Sequence, residues 1–397
     1  MRKMFLLLIF LLMLAPSAHA AEIYWASDVH YYAKGLCADE KILETMEMKG
    51  DGRSVRQVAA ITGAFFAEVL RNKPDALILS GDLTYNGELE GHKELRDMLE
   101  PIRQAGIKVL IIPGNHDINT GGAYGYPNSV ATKAEETTWA DFHAIYDDLA
   151  YGDALLTAPE SYSYLVPVAS DLWLLMLDGV ITEPLAQTGG YITSATRGFI
   201  EESLALAKER GAKVVTVTHH NFLQHSPSFY EGYVFDHNEK GLAVVKDGGV
   251  KLNLAGHMHI QHILQEDGFT EMLLSALPMT PCQYGIITYE KGQIDIRTEV
   301  LSAFTHTEAA RYIEKMAARY LLRLSISSIP ENEQAILANY GARINERYFA
   351  GQVTSAFFEE PAYEMWEKYA ADVSTLARYV IMMQGMDVDM TRLSITP

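Results

Sequence analysis

Short unbroken apolar runs alternate along the chain with longer stretches in which apolar residues recur every three or four positions. These are the patterns of buried strands and of amphipathic helices. Ile23 to Ser27, Asp75 to Ser80, Val109 to Ile112, Leu172 to Leu177, Lys213 to Thr218 and Val250 to Ala255 predict strands. Most of these runs lack polar alternation, so they are expected to be covered on both faces, as in a parallel or mixed sheet flanked by helices. Helical spacing over about Ser54 to Asn72, Leu89 to Gln104 and Ala195 to Arg210 separates them and gives a β-α-β-α-β order. Further strands are expected at Met272 to Ala276, Gly285 to Tyr289 and Ile294 to Val300. One stretch, Ile118 to about Thr138, rich in Gly, Thr, Tyr and Asn, breaks the rhythm and is a candidate substrate wall.

The pattern changes beyond about Ala303. His306 to Leu324, Asn332 to Tyr348, Thr354 to Tyr369 and Val373 to Met383 carry apolar and aromatic residues at helical spacing, separated by breakers such as Pro330 and Gly351. The chain therefore divides into an α/β domain over residues 21–302 and a helical bundle over 303–397. Residues 1–20 are of a third kind. Arg2 and Lys3 precede a short apolar core, and Ala18 and Ala20 form a small-residue cleavage site, the pattern of a signal peptide. That core is shorter than a bilayer span and no later stretch reaches one, so an extracytoplasmic chain without a transmembrane segment is expected after cleavage.

Hydrophobic residues make up 48% of the 397, enough for a large core, and the formal net charge is −19. A surface this acidic repels nucleic acid polymers, so any affinity for phosphate has to come from a local cationic site. The two cysteines, Cys37 and Cys282, form no disulfide framework, and sequence alone does not say whether they pair. The oligomeric state is equally unreadable.

The chemistry sits where the predicted strands end. Asp28 and His30 follow the first, Gly81-Asp82 the second, Gly114-Asn115-His116-Asp117 the third, His219-His220 a later one, and Gly256-His257-Met258-His259 the last. In open α/β sheets, ligands bind beyond the carboxyl ends of strands. One histidine at a strand end is more often structural than not, but five such clusters in a chain with 13 histidines point to a site for two metal ions. Such a site needs imidazoles and carboxylates, one of them bridging. Asp28 and His30 are two residues apart, as are His257 and His259, and in extended chain such pairs point the same way.

In identity and order these motifs resemble those of the calcineurin-like metallophosphoesterases, over about residues 22 to 300. With the His-His element and the appended helices, the arrangement looks most like bacterial class III cyclic nucleotide phosphodiesterases and their secreted relatives. The resemblance implies a four-layer α/β/β/α sandwich. It implies one metal ion held by Asp28, His30 and His259, a second by Asn115, His219 and His257, and Asp82 bridging. His116 would face the substrate, with Asp117 behind it to orient the ring. The implied cofactors are two divalent or transition metal ions, with Mn, Fe, Zn and Co all suited to mixed nitrogen and oxygen ligands.

Tyr85 stands where purple acid phosphatases carry a tyrosinate ligand, but those enzymes lack the first-motif histidine present here as His30, so Tyr85 is read as pocket wall. His220 should point away from the site, and His225 and His237 lie in a Tyr-rich loop within possible reach of substrate. The implied activity is hydrolysis of a small phosphate ester, foremost a diester of a cyclic or small nucleotide. Attack would come from hydroxide bridging the metals, and His116 would assist the leaving oxygen. Two other readings stay open: an extracytoplasmic phosphomonoesterase or hydrolase of lipid or cell-wall phosphate esters, and a non-catalytic, metal-stabilised binding protein.

Overall fold

The computed structural model describes residues 20–384 and 389–397, so the signal segment expected over residues 1–20 lies outside it except for its last residue. Two sheets form the centre. In the first, the strands run in the order Arg392–Ile395, Gln293–Val300, Gln283–Glu290, Ala21–Ala26, Ala76–Ser80, Lys108–Ile112. The last three are mutually parallel, and Gln283–Glu290 joins Ala21–Ala26 antiparallel. In the second, the order is His262–Glu266, Phe269–Leu273, Leu252–Ala255, Lys213–Thr218, Leu172–Leu177, Tyr164–Pro167, Leu156–Thr157. Its parallel centre runs from Leu172–Leu177 to Phe269–Leu273.

The strand Leu172–Leu177 shows how the layers stack. Leu172, Leu174 and Met176 join the core shared with the first sheet, while Trp173, Leu175 and Leu177 join Phe199, Ile200 and Leu204 of the helix Ser194–Arg210. A run without polar alternation is thus buried on both faces, each large side chain contributing about 1.5–3 kcal/mol on burial. On the far side of the first sheet, Ile61, Phe65 and Val69 of the helix Val58–Asn72 face the core at four-residue spacing. The result is the expected four-layer α/β/β/α sandwich.

Several elements carry no period strong enough to be seen in the sequence, among them the strands Tyr164–Pro167 and His262–Glu266 and the helix Glu40–Lys49. The strand expected at Met272 to Ala276 lies earlier, at Phe269–Leu273, where it pairs with His262–Glu266. Within Ile118 to Thr138 the chain makes only a two-residue hairpin and a short 3-10 turn. Cys37 and Cys282 are both buried and free.

The C-terminal helices are Ser302–Leu324, Glu331–Phe349, Pro361–Lys368 and Ser374–Ile381. Their core is not closed on itself: Tyr312, Tyr348, Trp366 and Met383 share one cluster with Met258, Ile260 and Met279 of the α/β part. Nor does the segment stay helical, because Arg392–Ile395 returns as the edge strand of the first sheet. Glu47, 1% exposed, receives the Arg56 guanidinium at 2.8 and 3.0 Å and is also bonded by Lys315 of the first C-terminal helix. Among the described residues, no helix is long and apolar enough to cross a membrane.

Candidate metal centre and its cavity

Both sheets deliver their motif residues to one edge. Asp28, His30, Asp82 and His259 bring one ligand atom each to within 4.8 Å of one another, and so do Asp82, His219 and His257. Asp82 belongs to both groups. In the first, His30 Nε2 lies 3.0 Å from His259 Nε2 and 3.6 Å from Asp82 Oδ2, and His259 Nε2 lies 3.4 Å from Asp28 Oδ1. In the second, His219 Nε2 lies 3.3 Å from Asp82 Oδ1 and 3.2 Å from Asn115 Oδ1. Around a single ion with bonds of about 2.1 Å, neighbouring ligand atoms stand about 3.0 Å apart in an octahedron and about 3.4 Å in a tetrahedron. The observed spacings are therefore those of coordination shells.

The outer nitrogens fix which atom each ring presents. His219 Nδ1 bonds the Ser80 carbonyl at 3.0 Å, leaving Nε2 inward, whereas His257 Nε2 bonds the Gly232 carbonyl at 2.7 Å, leaving Nδ1 inward. His259 Nδ1 bonds the Asp51 carboxylate. His30 is different: its Nδ1 is buried with no partner among the described residues, so the ring has no structural hydrogen bond outside the cluster. Metal-binding histidines commonly give their second nitrogen to a carbonyl or carboxylate, as three of these four do.

The charges tell the same story. Burial lowers the proton affinity of His219, but Asp82 more than compensates and holds it at about 9; His259, buried beside Asp51 and Asp28, likewise stands at about 9. His257 falls to about 3, through burial and then the neighbouring His219. Burial alone would raise the Asp82 carboxyl, yet His219 and His116 hold it well below the usual range. The clusters thus draw positive charge into a dry site, and the donor set fits divalent ions.

The backbone achieves this convergence in a way the sequence did not suggest. Asp28, His30, Asp82, His257 and His259 all have positive φ, between 47° and 67°. The pairs converge through left-handed turns beyond the strand ends and not through the two-residue alternation of extended chain. Non-glycine residues in this region are uncommon, and at functional sites the strain is held by surrounding structure. Here the Asp28 carboxylate accepts the His257 N–H at 3.0 Å and Asp82 Oδ1 accepts the His116 N–H at 2.8 Å.

His116 lines a cavity of about 280 Å³ together with Asp82, Asn115, His257 and His259. Its Nδ1 bonds Asn86 Oδ1 at 2.6 Å and the Tyr85 carbonyl at 3.0 Å, so Nε2 is the free nitrogen. The orienting role expected of Asp117 therefore falls to Asn86. Asp117 Oδ2 instead accepts the Gly114 N–H at 2.7 Å and Oδ1 the Thr84 N–H at 3.0 Å, so it braces the loop and not the ring. The cause is that Gly114 and Asp117 lie within one tight turn, which folds the carboxylate back onto its own backbone.

The neighbouring histidines have other partners. His220 packs its ring against that of His257, centroids 4.4 Å apart, and turns its Nε2 to the Thr188 carbonyl at 2.9 Å. His225 is buried between His262 at 2.9 Å and Glu271 at 3.1 Å and does not line the cavity, and His237 is exposed. The Tyr85 ring packs against Tyr32 with Arg53 over its face at 5.2 Å. Sequence reasoning missed Asp51, Arg53, Asn86 and Tyr233, together with Tyr348, Phe349 and Tyr379 of the C-terminal helices, most of which line the cavity. None of the seven carries a spacing signal.

A family model, calcineurin-like phosphoesterase, matches residues 22–261, and the chain belongs to that family. Two curated relatives, each described as a probable cyclic nucleotide phosphodiesterase, match shorter stretches. The one from Ruthia magnifica is 44% identical over 52 residues, covering 13% of this chain and 21% of the relative. The one from Vesicomyosocius okutanii is 54% identical over 43 residues, 11% of this chain and 17% of the relative. The matched stretch thus spans about a fifth of each relative. Among solved structures, a dimetal phosphatase from Danio rerio superposes with a TM-score of 0.51 at 14% identity, over 70% of this chain and 96% of that one, a likeness of fold.

Proposed function

We propose that this calcineurin-like phosphoesterase hydrolyses diesters of cyclic or small nucleotides outside the cytoplasm. The observation that carries the reading is the sharing of Asp82 between two coordination-spaced clusters beside the free nitrogen of His116. Asp28, His30, His259 and Asp82 would hold one divalent ion, and Asp82, Asn115, His219 and His257 the other. Together such ions supply an activated water and Lewis acidity toward phosphoryl oxygens.

The chain's own residues do the rest. Asn86 and the Tyr85 carbonyl accept from His116 Nδ1–H and hold the ring, so Nε2 delivers a proton to the leaving oxygen, or stabilises charge on it, from the cationic form of the ring, which burial disfavours and the Asp82 carboxylate favours. Arg53 stands on the same wall, its guanidinium 3.5 Å from the Asp51 carboxylate and its Nε buried and unpartnered among the described residues, which leaves that N–H as a donor for a non-bridging oxygen. Arg53 also favours a second reading, a phosphomonoesterase, since a dianionic terminal phosphate gains more from an added cation than a diester does. The extracytoplasmic setting rests on the signal pattern of residues 1–20.

The test is a panel of bis-p-nitrophenyl phosphate, p-nitrophenyl phosphate, and 2′,3′- and 3′,5′-cyclic nucleotides on the metal-reconstituted chain. Turnover of the diesters above the monoester supports the proposal, and a strong monoester preference replaces it with the second reading. His116→Ala should lose roughly 10²- to 10⁴-fold on esters with alkoxide leaving groups and much less on p-nitrophenyl esters, with metal content unchanged. An equal loss on both kinds of ester would remove His116 as the acid.

A further inference from the structure

The cavity at the metal centre does not end there. Asp51, Phe229, Phe349 and Tyr379 line both it and a second cavity of about 520 Å³ roofed by the C-terminal helices. Aromatic rings mark the passage. His257 and Tyr233 have ring centroids 5.2 Å apart, Tyr233 and Phe229 5.2 Å, and Phe229 and Tyr379 6.1 Å. A single phosphoryl group is far smaller than the two spaces together, and their summed size is that of a site for an extended small molecule.

The walls of the second space indicate what such a molecule carries. Phe229, Phe349, Tyr320 and Tyr379 offer flat apolar faces. Arg319 and Arg323, four residues apart on one face of Ser302–Leu324, stand with Arg378 from Ser374–Ile381. Arg319 is tied to the Gly50 carbonyl. Arg323 and Arg378 are exposed, and neither has a carboxylate partner among the described residues. In a chain with 51 acidic and 32 basic residues, three arginines around one cavity are a marked local reversal of charge. Asp51 is the one acidic residue on the described wall, and its carboxylate is already engaged by His259 and Arg53.

We infer that this cavity is a subsite for the unreacting part of the substrate, and that this part combines a flat ring with a second anionic group such as a further phosphate. The inference rests on the phosphoesterase reading and narrows it: the preferred ester is one that reaches from the metal centre, past Phe229 and Tyr379, to Arg323 and Arg378. Guanidinium groups bind phosphate through paired hydrogen bonds, and aromatic faces accept a base without selecting its sequence identity.

A matched pair of probes tests this: the p-nitrophenyl ester of thymidine 5′-phosphate, with and without an added 3′-phosphate. The 3′-phosphate is expected to raise kcat/KM roughly tenfold or more in the wild-type protein, the worth of one charge-assisted contact. In the double variant Arg323→Gln, Arg378→Gln the advantage should shrink to less than about threefold, and because it is a ratio within one protein, general damage cancels. Titration calorimetry with thymidine 3′,5′-bisphosphate against thymidine 5′-phosphate should show the same preference in binding, and the same loss in the variant. No preference in the wild type, or an unchanged preference in the variant, overturns the subsite. Absence of bis-p-nitrophenyl phosphate turnover would instead overturn the phosphodiesterase reading, while the calorimetric comparison still reports on the cavity.

Discussion

Asp51 gives the sharpest test of the metal centre, because it touches one cluster and not the other. Its carboxylate accepts a hydrogen bond from His259 Nδ1, which fixes the tautomer that points Nε2 at His30, 3.0 Å away, and at Asp28, 3.4 Å away. In Asp51→Asn the amide oxygen can still accept that bond, but the charge is lost and the amide can present its N–H₂ side instead. Loss of such an outer carboxylate lowers metal affinity by roughly 10- to 100-fold, about 1.4–2.7 kcal/mol, in line with the worth of one hydrogen bond to a charged acceptor. The Asn115, His219 and His257 cluster takes its outer bonds from Ser80 and Gly232, so its affinity should stay put. Chelator-competition titration should therefore show two steps in the wild type, and the variant should shift only one. A uniform shift of both steps, or of neither, would refute the assignment of Asp51 to the His259 cluster.

Asp82→Ala should cost more than loss of any terminal ligand, since both clusters lose an oxygen at once; metal analysis should show stoichiometry falling, and two tightly retained ions would disprove the shared role. Gly114→Ala would place a Cβ 2.2 Å from Asp82 Oδ1 and 2.3 Å from the Asp82 backbone nitrogen, which cannot retreat as a flexible side chain could. It should destabilise the fold by roughly 1–3 kcal/mol in chemical denaturation and weaken metal binding as well. Glu88, 1% exposed, is pushed by burial to about 7, although its carboxylate accepts the Asn86 N–H at 2.8 Å. Its folded-state pKa lies above the unfolded one, so its contribution is full below about pH 4.5 and is lost as pH rises through 7. Glu88→Gln, which does not titrate, should therefore gain on the wild type between pH 5 and pH 8 by up to about 3 kcal/mol, read from denaturation midpoints at the two pH values. An equal difference at both would contradict the raised pKa.

The strands that carry the motifs were legible because burial on both faces writes an unbroken apolar run, and parallel strands bring their carboxyl ends to one edge. Asp28, Asp82, Asn115, His219 and His257 are brought to one edge by that rule. The backbone that aims them was not legible. Asp and His at φ near 50° leave no trace in composition, whereas a glycine at such a position would have. The turn that folds Asp117 back onto Gly114 is equally silent, which is why the ring of His116 is held by Asn86, 30 positions earlier in the chain. Asp51 and His259 are 208 residues apart and meet only once the loop before Arg53 is laid across the strand ends.

The C-terminal helices show the same limit from the other side. Their aromatic spacing was readable as helix and as core, and the aromatics do build a core, but Tyr348, Phe349 and Tyr379 also face the cavity at the metal centre. Periodicity reports that a face is buried and cannot report what it is buried against. What gives these residues a place in the site is docking, and docking here is fastened at both ends. Lys315 joins the buried Glu47 and Arg56, and Arg392–Ile395 extends the first sheet beyond the helices. Removing Lys315 would leave a buried carboxylate with less compensation, a costly state, so the helical segment is held as part of the fold. A roof fixed in this way can hold Arg323 and Arg378 at a set distance from Asp82, a condition for reading the length of a substrate as well as its phosphate.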